Sequence, residues 1–209
     1  MENTLAMSEI IKFQTNLQKL WGYPAVKLRE KVLINNALED TKKYESINYI
    51  DLSSINKENG NVENIKKIHG DFPSRARQKV YDGDLLVSTL SGSMKAIAII
   101  DSKTENMIAS TGFFVIRHTS NLLKNFLMFI LRTNLFQELL KRESSGAIMA
   151  SINQSEFLNL KIPLPPIEIQ EQIAKEISQR REKAKALQIE SKAILESAKK
   201  EVEKMILGG

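Results

Sequence analysis

"IPLPPIEIQEQIAKEI", residues Ile162–Ile177, decides how the rest of the chain is read. Two prolines stand together at Pro165 and Pro166, and no Gly or Pro follows from Ile167 to Leu207. Proline has no N–H to donate and its fixed φ suits a first helical turn, so Pro166 is expected as the first helical residue. Glu168 and Glu171 in the opening turns, with Lys199, Lys200 and Lys204 near the end, suit the helix dipole. The spacing predicts one helix over 166–207, roughly 60 Å long at ~1.5 Å per residue. The d and a positions fall at Ile173, Ile177, Arg180, Ala184, Leu187, Ser191, Ile194, Ala198, Glu201 and Met205. Seven of these ten are apolar, the pattern of a coiled-coil seam with polar interruptions. A domain of ~165 residues has a radius of gyration of only ~15 Å. A rod of this length therefore calls for another helix to cover its seam.

Upstream, Thr4 to Leu20 reads as an amphipathic helix, with Leu5, Ile10, Phe13, Leu17 and Leu20 at helical spacing, ended by Trp21-Gly22-Tyr23-Pro24. Short β-like runs follow at Asn48–Leu52, Val62–Ile68, Leu85–Leu90, Ala96–Ile100 and Gly112–Arg117. Turn chemistry separates them, as at Glu58-Asn59-Gly60-Asn61, Asp82-Gly83-Asp84 and Ser91-Gly92-Ser93. A single well-buried helix is predicted from about Ser120 to Arg142, N-capped by Ser120 or Asn121. A loop follows at Ser144-Ser145-Gly146-Ala147, and a last strand at Leu160–Leu164. The expected organisation is an N-terminal helix (1–22), a mixed α+β globular domain (23–165) and a long C-terminal coiled-coil helix (166–207).

Composition bounds what this chain does. It has 209 residues and no cysteine, which removes disulfides, thiol nucleophiles and Cys-based zinc sites and suits a reducing cytoplasm. The opening MENTLAMSEIIK lacks the basic and apolar regions of a signal peptide. The most apolar stretch, Asn125–Leu131, is closed in by Lys124 and Arg132, far short of the ~20 residues a membrane span needs. A cytoplasmic protein without membrane contact is expected. Of the net charge of +5, only +1 lies from Pro166 onward, where nine Lys/Arg meet eight Asp/Glu. The basic excess is therefore in the globular part, and Lys66, Lys67, Arg75, Arg77 and Lys79 crowd one short segment against Asp71 alone.

Catalytic signatures are missing. An adenine methyltransferase needs a glycine-rich cofactor turn and an Asn/Asp-Pro-Pro-aromatic motif, but the one Pro-Pro pair lies between Leu164 and Ile167. Glu190-Ser191-Lys192 has nuclease-like letters but sits on the heptad helix. His69 and His118 are the only histidines, read as surface or satisfied residues, and no P-loop or dinucleotide glycine motif occurs.

The ordered series of motifs resembles the specificity subunits of Type I restriction-modification systems. It runs Tyr49-Ile50-Asp51-Leu52-Ser53-Ser54-Ile55-Asn56, Ala76-Arg77-Gln78-Lys79-Val80, Gly83-Asp84-Leu85-Leu86-Val87-Ser88, Ala109-Ser110-Thr111-Gly112-Phe113-Phe114-Val115 and Gly146-Ala147. It closes with Ile162-Pro163-Leu164-Pro165-Pro166 and Glu171-Gln172. The resemblance implies a target-recognition domain that reads double-stranded DNA and a spacer helix that docks methyltransferase subunits. It implies no cofactor here, since S-adenosylmethionine would be bound by the methyltransferase partner. Such subunits carry two recognition domains and two helices. This chain has one of each, so it looks like a half-subunit that pairs with a second copy, or like a fragment, including a piece of a fused methyltransferase-specificity chain.

On the residues themselves, Lys66, Lys67, Arg75, Arg77 and Lys79 are candidates to neutralise phosphates. Ser91, Ser93 and Lys95 in one loop and Ser144 and Ser145 in another are candidates for close DNA approach. Ile173, Ile177, Ala184, Leu187, Ile194, Ala198 and Met205 are the expected helix-pairing residues, in an antiparallel pair. Two other classes stay open at this point: a coiled-coil adaptor whose domain binds protein, and a stand-alone enzyme.

Overall fold

The structure, a computed structural model, describes residues 22–143 and 151–207. The expected Thr4–Leu20 helix and Ser144–Ala147 loop lie outside them. The chain divides into two compact units, one running through Gln170 and the other from Glu171. In order, the strands are β1 (Ala25–Lys27), β2 (Val32–Ile34), β3 (Ser46–Ile50), β4 (Lys66–His69), β5 (Ala76–Lys79), β6 (Leu85–Ser88), β7 (Ile97–Ile99), β8 (Met107–Ser110) and β9 (Phe113–Thr119). Then come α1 (Lys124–Arg132), α2 (Asn134–Glu143), α3 (Gln154–Asn159), β10 (Lys161–Pro163) and α4 (Ile167–Leu207). This is the mixed α+β fold with a long C-terminal helix that the sequence predicts.

Two four-stranded sheets make the first unit, ordered β2-β9-β6-β7 and β4-β3-β8-β5. The first is antiparallel throughout; the second has one parallel pair, β3 with β8. The strands β6 and β9 are central and buried on both faces, which is why they read as continuous apolar runs rather than alternating ones. Leu86, Ala98 and Val115 from one face of this sheet meet Ile50, Met107 and Ala109 of the other sheet in a shared core. On the opposite face, α1 packs against β7, and Phe157 of α3 stacks on Phe114 with centroids 5.0 Å apart. A smaller apolar cluster, Ile47, Tyr49, Ala76 and Ile108 with Tyr44, Ile68 and Phe72 against it, covers the outer face of the second sheet. The strands β1 and β10 pair with each other, and Leu164 N donates to Pro24 O at 2.9 Å.

Four expectations are corrected. The single helix from Ser120 to Arg142 is two, because Thr133 adopts an extended backbone (ψ 149°) between α1 and α2. Its hydroxyl donates to Ile130 O at 2.7 Å and lies 3.5 Å from Phe136 N, the side-chain behaviour that favours a helix boundary. The N-cap of α1 is Leu123 rather than Ser120 or Asn121. Val62–Ile68 is not one strand: Val62 makes only an isolated bridge to Ile55, and β4 starts at Lys66. Pro166 precedes the helix and caps it, its carbonyl accepting from Gln170 N at 3.1 Å.

Candidate nucleic-acid interface

The basic stretch Lys66–Lys79 does not form one patch. Its two strands, β4 and β5, are the opposite edges of the second sheet, about three inter-strand spacings or roughly 14 Å apart. The segment between them crosses the outer face, where Phe72 packs on the Ile47–Tyr49–Ile108 cluster. The charges that sequence places side by side are thus divided by a plug of apolar side chains. Lys66 Nζ lies 2.6 Å from Asp51 Oδ2. Lys79 Nζ donates to Tyr44 Oη at 3.0 Å and sits over the rings of Tyr44 and Tyr81. Arg77 Nε donates to Glu39 O at 3.1 Å. Lys67 and Arg75 are exposed, and neither has an ion-pair partner among the described residues.

A different grouping emerges from the loops. Thr111 N donates to Arg75 O, Thr89 N to Gly112 O, and Ile152 N to Thr89 O, each at 2.9 Å, while Leu90 bridges Ser151. This ladder of main-chain bonds ties the entry of β5, the β8–β9 turn and the segment leading into Ser91–Ser93 at one end of the two sheets. Lys66 and Asp51 lie at the same end of their sheet, because Tyr49 pairs with Lys66 and Ile50 with Ala109. So Lys66, Arg75, Ser91, Ser93 and Lys95 lie at one end of the sheets, Lys66 and Arg75 at opposite edges of theirs, whereas Arg77 and Lys79 run on along the β5 edge toward Tyr44. Lys57, which the sequence reading passed over, joins the group by donating from Nζ to Ser93 Oγ at 3.3 Å. Nothing local marks it: its partner is 36 residues away. Ser144 and Ser145 lie outside the described residues.

The electrostatics follow these contacts. Burial pushes the Asp51 carboxyl up, but hydrogen bonds from Lys66 and Ser53 outweigh it, and the net direction is down. The hydrogen bond to Asp51 holds Lys66 above its ordinary value, and the bond to Tyr44 does the same for Lys79. Both lysines stay charged at neutral pH. The Gly83-Asp84 motif is structural. Asp84 is buried, accepts from Tyr81 N at 3.0 Å and pairs with Arg117 Nη2 at 2.9 Å, while Gly83 takes φ +79° in the turn. Burial lowers Lys124, whose Nζ donates to Gly83 O at 2.5 Å.

The helix α4 begins from a fixed point in the first unit. Gln170, fully buried, donates from Nε2 to Asn121 O (3.1 Å) and Pro165 O (2.9 Å), and its Oε1 accepts from Leu123 N (2.8 Å). Further along, Ile173 and Ile177 are half-buried, and Ala184, Leu187, Ile194, Ala198 and Met205 are exposed. Leu187 and Ile194 are 55% and 62% exposed, with Leu195, Val202 and Ile206 beside them. At 100° per residue, Ile194, Leu187, Met205, Ala198, Val202, Leu195 and Ile206 fall within one stripe, with Val202 in place of the expected Glu201. Leu187, Glu190, Ser191, Ile194 and Leu195 frame a shallow dip. No helix among the described residues is long and apolar enough to cross a membrane.

A family model described as Type I restriction modification DNA specificity domain matches residues 26–196, spanning the globular unit and most of α4. The chain belongs to this family. It is 29% identical over 164 residues to a Methanocaldococcus jannaschii protein named "Putative type I restriction enzyme MjaX specificity subunit", covering 75% of this chain and 32% of that one. Among solved structures, the HsdS subunit from Thermoanaerobacter tengcongensis superposes with a TM-score of 0.68 at 28% identity, covering 80% of this chain and 44% of that one. A chain from a study of complex assembly and conformational transition of the type I R-M system gives the same TM-score and identity over 79% of this chain and 44% of that one. A Type-I S subunit from M. genitalium shares the fold at 16% identity, with a TM-score of 0.54. The chain spans about a third of the curated relative and under half of the solved chains. This membership does not favour the adaptor reading.

Proposed function

We propose that this chain is a sequence-specific DNA-recognition unit without catalysis of its own, which directs a methyltransferase partner, and restriction subunits with it, to a two-part DNA site. The observation that carries this reading is the unbroken match of a DNA specificity family across domain and helix together. The end of the sheets holding Lys57, Lys66, Arg75, Ser91, Ser93 and Lys95 is the DNA-facing surface. Basic groups there neutralise phosphates and fix register, while small polar side chains and close backbone read base edges. Two copies pair through antiparallel α4 helices, since a parallel pair would crowd both domains at one end of helices only ~8–10 Å apart. S-adenosylmethionine is bound by the methyltransferase, and the complex works in the cytoplasm.

Mixing the purified chain with S-adenosylmethionine and DNA is expected to give no methyl transfer; adding the methyltransferase subunit restores it. Methylome sequencing of cells holding both then reveals one inverted, interrupted site. Turnover by the chain alone, or methylation at the same sites without it, sinks the proposal.

A further inference from the structure

Arg132 ends α1 and carries a contact set that no motif announces. Its Nη1 donates to Lys95 O (2.8 Å) and Ile97 O (3.2 Å), and its Nη2 to Lys57 O and Glu58 O, both at 2.9 Å. The four terminal N–H groups thus meet four carbonyls on two separate loops, 56–60 and 94–97. A planar guanidinium forks in this way; an ammonium, a compact point charge with three donors, does not. Gly60 makes the space. It takes φ +72°, and a Cβ there would stand 3.0 Å from Arg132 Cζ and Nη1. From the first of these loops Lys57 Nζ reaches Ser93 Oγ, the residue before the second, and Lys95 is exposed.

We propose that Arg132 is a positioning residue for DNA specificity: by clamping the two loops it fixes where Lys57, Ser93 and Lys95 stand relative to one another, without touching DNA. This rests on the DNA-recognition reading above. A clamp of this kind governs the accuracy of base contacts rather than the number of phosphates neutralised. Its removal therefore lowers selectivity and leaves the electrostatic part of binding intact.

The test uses the full chain assembled with its methyltransferase subunit. The probes are two duplexes, one carrying the site found by methylome sequencing and one with a half-site scrambled. In Arg132→Lys the ratio of affinities is expected to fall about tenfold, the discrimination that one good base contact supplies. Affinity for the scrambled duplex and its salt slope stay unchanged, and amide exchange in 56–60 and 94–97 quickens. In a Ser91→Ala/Ser93→Ala background the same change adds little, because its effect on selectivity runs through those base-reading side chains. Gly60→Ala, which displaces the guanidinium from the other side, is expected to act alike and covers the case in which Arg132→Lys does not fold. Undiminished selectivity in a folded variant with loosened loops overturns the proposal. So does a salt slope reduced by about one, which marks Arg132 as a phosphate contact, or a full-size effect in the double-alanine background. A wild-type complex that binds both duplexes equally overturns the DNA-recognition reading itself.

Discussion

Gln170 does at a single position what the whole proline junction only suggests. Its amide satisfies one N–H and two carbonyls of the first unit from the opening turn of α4. Gln170→Leu keeps the volume and strands those groups, so a loss of roughly 1–3 kcal/mol is expected in urea denaturation. Asp51 gives a second residue-scale prediction. Its folded pKa lies below the ordinary value of 3.8, so its contribution is complete above that value and is lost as pH falls through the lower folded one. Asp51→Asn is therefore expected to be less stable than wild type at neutral pH, with the gap closing as pH falls below the ordinary carboxylate value and through the lower folded one. A gap that stays constant on acidification would show the pair to be unimportant. Neither Gln170 nor Arg132 was legible in the sequence, because a polar side chain among helix formers looks the same whether it faces water or carbonyls 49 or 75 residues away.

Elements were legible where periodicity is sustained and obscure where they are short. The helix α4 declares itself through 41 residues without a breaker. Strands such as β1 and β2, three residues each, declare nothing, and β5 hides its inward Gln78 among charges. Gln78 is buried and donates to Ser110 O and Phe113 O, so a polar letter at a core position broke the alternation that marks a strand. The candidate site suffered most, since closeness in sequence was read as closeness in space for Lys66–Lys79. Sheet order reverses that and yields a test. Lys57, Arg75 and Lys95 changed together to Ala should reduce the salt slope of DNA binding by roughly one for each lost phosphate contact. Arg77→Ala with Lys79→Ala, on the far edge, should change it less. The reverse ranking, read from binding isotherms across a salt series, would move the interface to the Tyr44 edge.

For the molecule as a whole, the proposed antiparallel pairing of α4 would make helix length a ruler. Deleting one heptad, Leu187–Ala193, keeps the apolar stripe in register and shortens the helix by ~10.5 Å. The gap between half-sites is then expected to shrink by roughly three base pairs at about 3.4 Å each, with each half-site sequence unchanged. A folded, assembled deletion variant that methylates only the original spacing refutes the ruler. The pairing of β1 with β10 bears on a different question, that of inheritance. Because Pro24 and Leu164 are joined by a hydrogen bond, the chain enters and leaves the sheets at the same doorway. A cassette bounded there is one uninterrupted stretch of gene whose two ends meet in the folded protein. On the proposed function, a crossover at each end of that stretch would swap the text the protein reads while the sequence of α4 stays as it was.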